Sequence, residues 1–150
     1  MRRQRGNTLT EFALILPFVL AGIFGVIEFG RALYTYHFVS YAAREASRWA
    51  SVRGRSCKVY EPVACPASAA DVEDYVTSIT PPGIDKDQAR LLVHTEWVAP
   101  PGHGNNCAAY PKNPGCSVQV TVIYNFKFIL PFMPSSTYAM KSTSEMVISQ

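Results

Sequence analysis

The sequence predicts an α+β protein: one long N-terminal helix, membrane-spanning in its first half, packed on a small antiparallel β-sheet of about three strands. Three observations predict it. Positions 12–27 form an apolar run without a charged residue. A helical pattern of small and apolar residues continues from that run to about position 53. Three segments beyond position 90 read as strands, and the second alternates apolar and polar residues most clearly.

The first element opens with a basic stretch. Arg2, Arg3 and Arg5 precede Gly6, and four uncharged residues separate Gly6 from Glu11. A bilayer core takes about 20 helical residues. Positions 12–27 fall slightly short of that. A span of about 9–29 reaches the required length, and it brings Glu11 and Glu28 to the hydrocarbon edges. Glu28 has Arg31 one turn later on the same face. The residue one turn after Glu11 is the apolar Ile15. A charged side chain at the bilayer centre costs about 2.5–3.5 kcal/mol on insertion scales, so Glu11 calls for a proton or a cation. Cleavage after Gly6 would create an ammonium at Asn7, one turn before Glu11, and a neighbouring subunit could present the same group. The helix dipole favours an acid in these first turns. On this reading residues 1–6 are a cleaved leader and Glu11 is a filament assembly acid. The bland alternative is that Glu11 marks the aqueous edge of a shorter anchor.

The three leading arginines place the N-terminus in the cytoplasm by the positive-inside rule. Arg31, Arg44 and Arg48 weaken the asymmetry, with Glu28 and Glu45 near them. A cleavable secretory signal is the main competitor. It would take positions 12–20 as its apolar region, with Val19 and Ala21 before the cut. Glu11 intrudes on that pattern, and the apolar run continues past the cut. Within the span, Pro17 removes a backbone hydrogen bond and is expected to kink the helix. Gly22, Gly25 and Gly30 permit close helix contacts, although glycine is also common in membrane helices.

The helix is expected to run on, from about residue 8 to about residue 53, for about 65–70 Å. Ala32, Tyr36, Val39, Ala43, Ala46 and Ala50 recur at steps of four and three and form one stripe. Arg44, Ser47, Arg48 and Ser51 are expected largely elsewhere. Gly54 suits the position after the last turn, and Arg53 and Arg55 suit its dipole. The helical region is thus 7–54, and 55–150 forms the outer domain.

The four cysteines, Cys57, Cys65, Cys107 and Cys116, all follow the apolar segment, and none forms a C-x-x-C pair. That argues against a zinc ribbon or a thioredoxin-type site. An even count on one side of a membrane helix suggests two disulfides in an oxidising compartment. The local pairs Cys57–Cys65 and Cys107–Cys116 are favoured, but all three connectivities remain open, as do four buried thiols. Residues 55–68 read as a loop clipped by the first pair. A short helix is expected from Ser68 or Asp71 to Ser78, with Val72, Tyr75, Val76 and Ile79 on its apolar face. Pro81, Pro82 and Gly83 stop it. Strands are expected at 91–98, 118–128 and 138–148, as a meander against the long helix with one sheet face buried and one wet. The apolar segment 128–134 is expected to cap the domain's own core; contact with a membrane or a neighbouring subunit is the alternative.

Net charge is +3 in 150 residues, and no basic and aromatic stripe suggests nucleic acid. No G-x-S-x-G, HExxH or glycine-rich phosphate loop is present. His37, His94 and His103 are far apart in the chain, and His103 beside Cys107 reads as a loop histidine near a disulfide rather than a metal ligand. Asp71, Glu73 and Asp74 open a helix, where acids favour the dipole. No catalytic, cofactor or metal site is expected.

The block RRQRG, Glu11-Phe12, ALILPFVLAGIFGVIEFGR and AAREASRWAS resembles the N-terminal block of the TadE family of tight-adherence (Flp-type) pilus systems. The terminal STSEMVISQ is similar to the family's less specific ending. The specific likeness covers about the first third of the chain. It implies a type IV pilin-like fold and a minor pilin or pseudopilin, cut by an aspartic prepilin peptidase and needed for pilus assembly and adherence. The implied scissile bond is Gly6–Asn7, and Glu11 becomes the fifth mature residue. Phe12 stands where major Flp pilins usually have tyrosine, which favours the TadE branch. The implied partners are prepilin peptidase, other pilins and pseudopilins, the pilus assembly platform and membrane lipid. The implied location is the bacterial inner membrane, single-pass, with the outer domain extracytoplasmic. Two other classes stay open: an anchored extracytoplasmic binding protein that does not polymerise, and a secreted hydrolase or inhibitor whose signal is removed.

Overall fold

A computed structural model describes residues 7–58, 65–99, 107, 109–129 and 137–149. Helix α1 (Asn7–Ser51) is one continuous element of 45 residues, about 67 Å long. Helix α2 spans Ala69–Ser78, and strands β1 (Leu91–Val98), β2 (Ser117–Lys127) and β3 (Thr137–Val147) follow. The strands form an antiparallel sheet in the order β1-β2-β3. The expected α+β arrangement of a long apolar helix on a three-stranded sheet is therefore present.

Alternation in β2 builds the inner face of the sheet. Val118, Val120 and Val122 are fully buried, with Tyr124 and Phe126 nearly so. In register with them, β1 contributes Trp97, Thr95, Val93 and Leu91. The facing residues of β3 are Met146, Ser144, Ser142, Met140 and Tyr138. Strand β3 thus brings two serines to the inner face, where the helix lies over them. The outer face is wet, and the Thr121 and Thr143 hydroxyls meet across it at 2.9 Å.

Helix α1 approaches this sheet through small residues. Ala42, Ala43 and Ala46 have no exposed surface, and Ser47 has none either. The Ser47 hydroxyl donates to the Arg44 carbonyl at 2.9 Å and meets the Ser144 hydroxyl at 2.9 Å. Two expectations are corrected here. Ser47 and Ser51 lie on the buried face, because a serine that bonds back to its own helix can be buried at little cost. Tyr36 is exposed, while Thr35 and Phe38 take the buried positions beside Val39. At this level of the helix the buried arc runs through Thr35, Phe38 and Val39, and position 36 falls outside it.

The end of α1 is closed by side chains rather than by a left-handed glycine. Arg53 donates to the Trp49 carbonyl at 2.9 Å and stacks over the Trp49 ring. The backbone N–H of Ser149 donates to the Ser51 carbonyl at 3.0 Å, so the segment after β3 takes up an open helix carbonyl. Among the described residues, positive φ occurs at Gly83 and Gly115, not at Gly54. Gly83 ends the turn after α2, as its neighbouring prolines require.

Helix α2 begins with a capping box. Ser68 accepts from the Asp71 N–H, and Asp71 accepts from the Ser68 N–H at 2.7 Å. These bonds from Ser68 hold the Asp71 carboxyl below its usual range. Val72 and Val76 are buried, and Tyr75 stacks on Trp49 with ring centres 4.9 Å apart. Burial, and then the Glu45 carboxylate that accepts from its hydroxyl, push the Tyr75 phenol upward. Both helices therefore cover one face of the sheet.

Both favoured cysteine pairs are formed, Cys57–Cys65 and Cys107–Cys116. Cys107 and Cys116 are buried in the core, whereas Cys57 and Cys65 are partly exposed. Residues 59–64, part of the first clipped loop, lie outside the described residues, as do His103 and positions 130–134 of the apolar segment. Phe128 packs partly against the core, and Ile129 is exposed.

Two predictions follow from this packing. Ala46→Leu should lower unfolding stability by about 1–3 kcal/mol, because an added isobutyl group must push α1 off Ser144 and β2; chemical denaturation of the full chain in detergent measures it. Replacing Cys107 and Cys116 together by alanine should cost about 2–4 kcal/mol, and more than the same change at Cys57 and Cys65. Equal losses for the two pairs would contradict the burial difference.

Candidate functional site: a bare apolar helix and its boundary

The first half of α1 is not covered by the outer domain. Phe12, Leu14, Ile15, Phe18, Val26 and Phe29 are each more than half exposed. Only 6% of the most apolar 18-residue stretch is buried, which separates it from the core helix of a soluble domain. Length and composition suffice to cross a membrane. A signal sequence near an N-terminus meets the same test, but here the apolar stretch runs without interruption into the domain's own core helix.

The structure places the sequence-derived site residues along this helix. Gly6 and the other residues of the expected leader lie outside the described residues, and Asn7 is the first residue of α1. Glu11 lies on the exposed surface of the second turn. Pro17 is inside the continuous helix. Among the described residues, a side chain added at Gly22, Gly25 or Gly30 would meet nothing within 4 Å. Phe18, Val19, Ile23 and Val26 border a shallow notch at Gly22. Eleven residues at about 100° each return Gly22 to within about 20° of Glu11, and Gly25 to within about 40°. Acid and glycines therefore share one face of the bare helix. The disulfide cysteines sit far from it, in the outer domain.

Glu28 marks where the bare half ends. It is buried, with 6% of its surface exposed, although apolar residues flank it on the helix. One carboxylate oxygen accepts from Arg31 Nη1 at 2.7 Å. The other accepts from the backbone N–H of Ile129 at 3.0 Å, just past the end of β2. Arg31 also lies over the Phe126 ring, 5.3 Å from its centre. The i, i+3 spacing made the ion pair readable from the sequence. The bond to Ile129 spans 101 residues and left no local signal.

Among the described residues, no group of three His, Cys, Asp or Glu side chains is placed to hold a metal ion. His94 is on the exposed face of β1, and His37 is on the exposed side of α1.

Replacing Glu28 by alanine removes two bonds to a carboxylate at the foot of the domain. The full chain should lose about 1.5–3 kcal/mol, and hydrogen exchange should rise first at Ile129 and the end of β2. Unchanged exchange there would show that the clamp is idle.

No curated protein and no solved structure matches the chain. The family model for TadE-like protein matches residues 6–48, the bare half of α1 together with most of its alanine face. The chain thus carries a TadE-like N-terminal segment, from the family that its sequence resembles.

Proposed function

We propose that this protein is a minor pilin or pseudopilin of a tight-adherence (Flp-type) pilus, a structural or assembly component rather than an enzyme. The single observation that carries this reading is the TadE-like helix itself, apolar on all sides from Phe12 to Ile27 and built into the domain core after Glu28. Before assembly, the bare half spans the inner membrane with the N-terminus in the cytoplasm. The disulfide-bonded domain stands on the extracytoplasmic side, where thiols oxidise. Prepilin peptidase cuts between Gly6 and Asn7. The assembly platform then moves the helix from lipid to a bundle of other pilins and pseudopilins.

The shared face of Glu11, Gly22 and Gly25 suits that transfer. Glycine in a helix interior costs about 1 kcal/mol against alanine, and among the described residues nothing packs against these glycines in return. A neighbouring helix can approach there closely. Glu11 then lies where an ammonium created at Asn7 of a neighbour can meet it, and the low dielectric of the bundle strengthens that pair.

Intact mass of the chain recovered from its native host tests the reading. The mature chain should begin at Asn7, and Gly6→Trp should abolish the cut. An uncut chain that works normally would mean an anchored protein that does not polymerise, and a start near Gly22 would mean a secreted one. Glu11→Leu should leave membrane insertion intact and reduce incorporation into filaments several-fold, as measured by immunoblot of sheared pili. Normal incorporation would remove Glu11 from the assembly step.

A further inference from the structure

We infer that the foot of the outer domain binds the phosphate headgroup of an anionic phospholipid, in a basic cleft formed by Arg31, Arg90 and Lys127. The inference rests on the membrane reading above and gives it a chemical partner. The cleft has a volume of about 270 Å³, and Tyr34, Thr35, Gly83, Tyr124 and Phe126 complete its lining. That is near the lower end of the ~300 Å³ usual for small-ligand clefts, room for a headgroup without its acyl chains.

Topology sets the depth of the cleft. β2 ends at Lys127, and the N–H of Ile129 is fixed to Glu28 on α1. The backbone N–H of Asn125 donates to the Arg90 carbonyl at 2.8 Å, which holds Arg90 at the same end of the sheet. All three cations therefore lie at the level where the apolar span ends. Positions 31–34 are about 3–8 Å beyond position 29 along a helix. The headgroup layer is about 5–7 Å thick on each side of the hydrocarbon. The cleft opens within that layer. Exposed Tyr34 lines it, an aromatic ring at interface depth, and exposed Ile129 follows Lys127 by two residues.

Charge favours an anion. Glu28 offsets Arg31, and Asp85 lies 3.5 Å from Arg90. Asp85 is half exposed, so its screening of Arg90 is weak. Among the described residues no carboxylate pairs with Lys127. A phosphate in the cleft would meet one unbalanced cation and two whose own partners leave hydrogen-bond donors to spare. Because Arg31 is fixed by Glu28 and Phe126, part of the site is ordered in advance.

The test uses the full chain reconstituted in vesicles of equal parts phosphatidylcholine and phosphatidylglycerol. Native mass spectrometry after mild detergent release should find phosphatidylglycerol retained over phosphatidylcholine by about fivefold, the weight of one basic residue near an anionic surface. The double variant Arg90→Gln with Lys127→Gln should bring retention to parity, while Arg90→Lys with Lys127→Arg keeps the preference. Parity in the wild type, or an unchanged preference in the glutamine variant, overturns the headgroup site alone. Inorganic phosphate added to all-phosphatidylcholine vesicles should not bind saturably; saturable binding that the glutamine variant loses overturns the lipid assignment in favour of a free anion. Failure of the wild-type chain to float with either vesicle overturns the membrane reading and this inference together.

Discussion

The half of α1 before Glu28 receives no cover from the outer domain, and every other feature is arranged around that constraint. A helix of 45 residues is about 67 Å long, far more than a three-stranded sheet can shield. The second half is shielded by α2 and the sheet and carries alanine and serine where they press on it. The first half must find an apolar surrounding elsewhere. At about 25 cal/mol per Å², leaving its phenylalanines, leucines and isoleucines in water would forfeit a large part of what holds a domain of this size together. A membrane or a bundle of like helices removes that cost, and the two are interchangeable only if the helix can leave one for the other.

The proposed exchange places demands on the boundary. Glu28 and Arg31 form a pair that is neutral as a unit, and the Ile129 N–H binds the carboxylate oxygen that Arg31 does not. The helix is thereby joined to the sheet at the point where its surroundings change. In the proposed assembly step, where the apolar half passes from lipid to a bundle, this clamp would keep the domain from tilting about α1. The disulfides act further out. Cys107–Cys116 fastens the long connection between β1 and β2 to the core, and Cys57–Cys65 ties the loop that follows α1.

Much of this was legible in the sequence, and what was not has physical reasons. The apolar run, the alternation in β2 and the stop signal at Pro81, Pro82 and Gly83 are local patterns, and each gave its element to within a few residues. The cysteine pairs were readable as the shorter loops, though only the folded chain chooses among connectivities. Tyr36 was misplaced because step size and hydrophobicity alone do not say which arc of the helix the sheet covers at that level; it covers Thr35, Phe38 and Val39. Ser47 and Ser51 were misplaced for the converse reason. Their hydroxyls bond to Arg44 and Arg48 one turn back, so polarity gave the wrong sign. Gly54 looked like a helix stop, but Arg53 and the Ser149 N–H already occupy the open carbonyls. The contact from Glu28 to Ile129 depends on the fold being complete and has no counterpart in local spacing.

The inner face of β3 shows how the two halves of α1 are linked. A strand with Ser142 and Ser144 toward the core buries less apolar surface than one with valines, so by itself it is a weak choice. It becomes favourable only because Ala43, Ala46 and Ser47 bring the helix backbone close, where Ser47 and Ser144 satisfy each other's hydroxyls. Small residues on both sides leave little room for the helix to roll. A helix held without roll at its alanine face also has fixed directions for Gly22 and Gly25, about 30–35 Å away along the same rod, and for Glu11, about 50 Å away (about 1.5 Å per residue). In the proposed filament the serines of β3 would thus help decide which side of the apolar half meets a neighbour, although they never touch it.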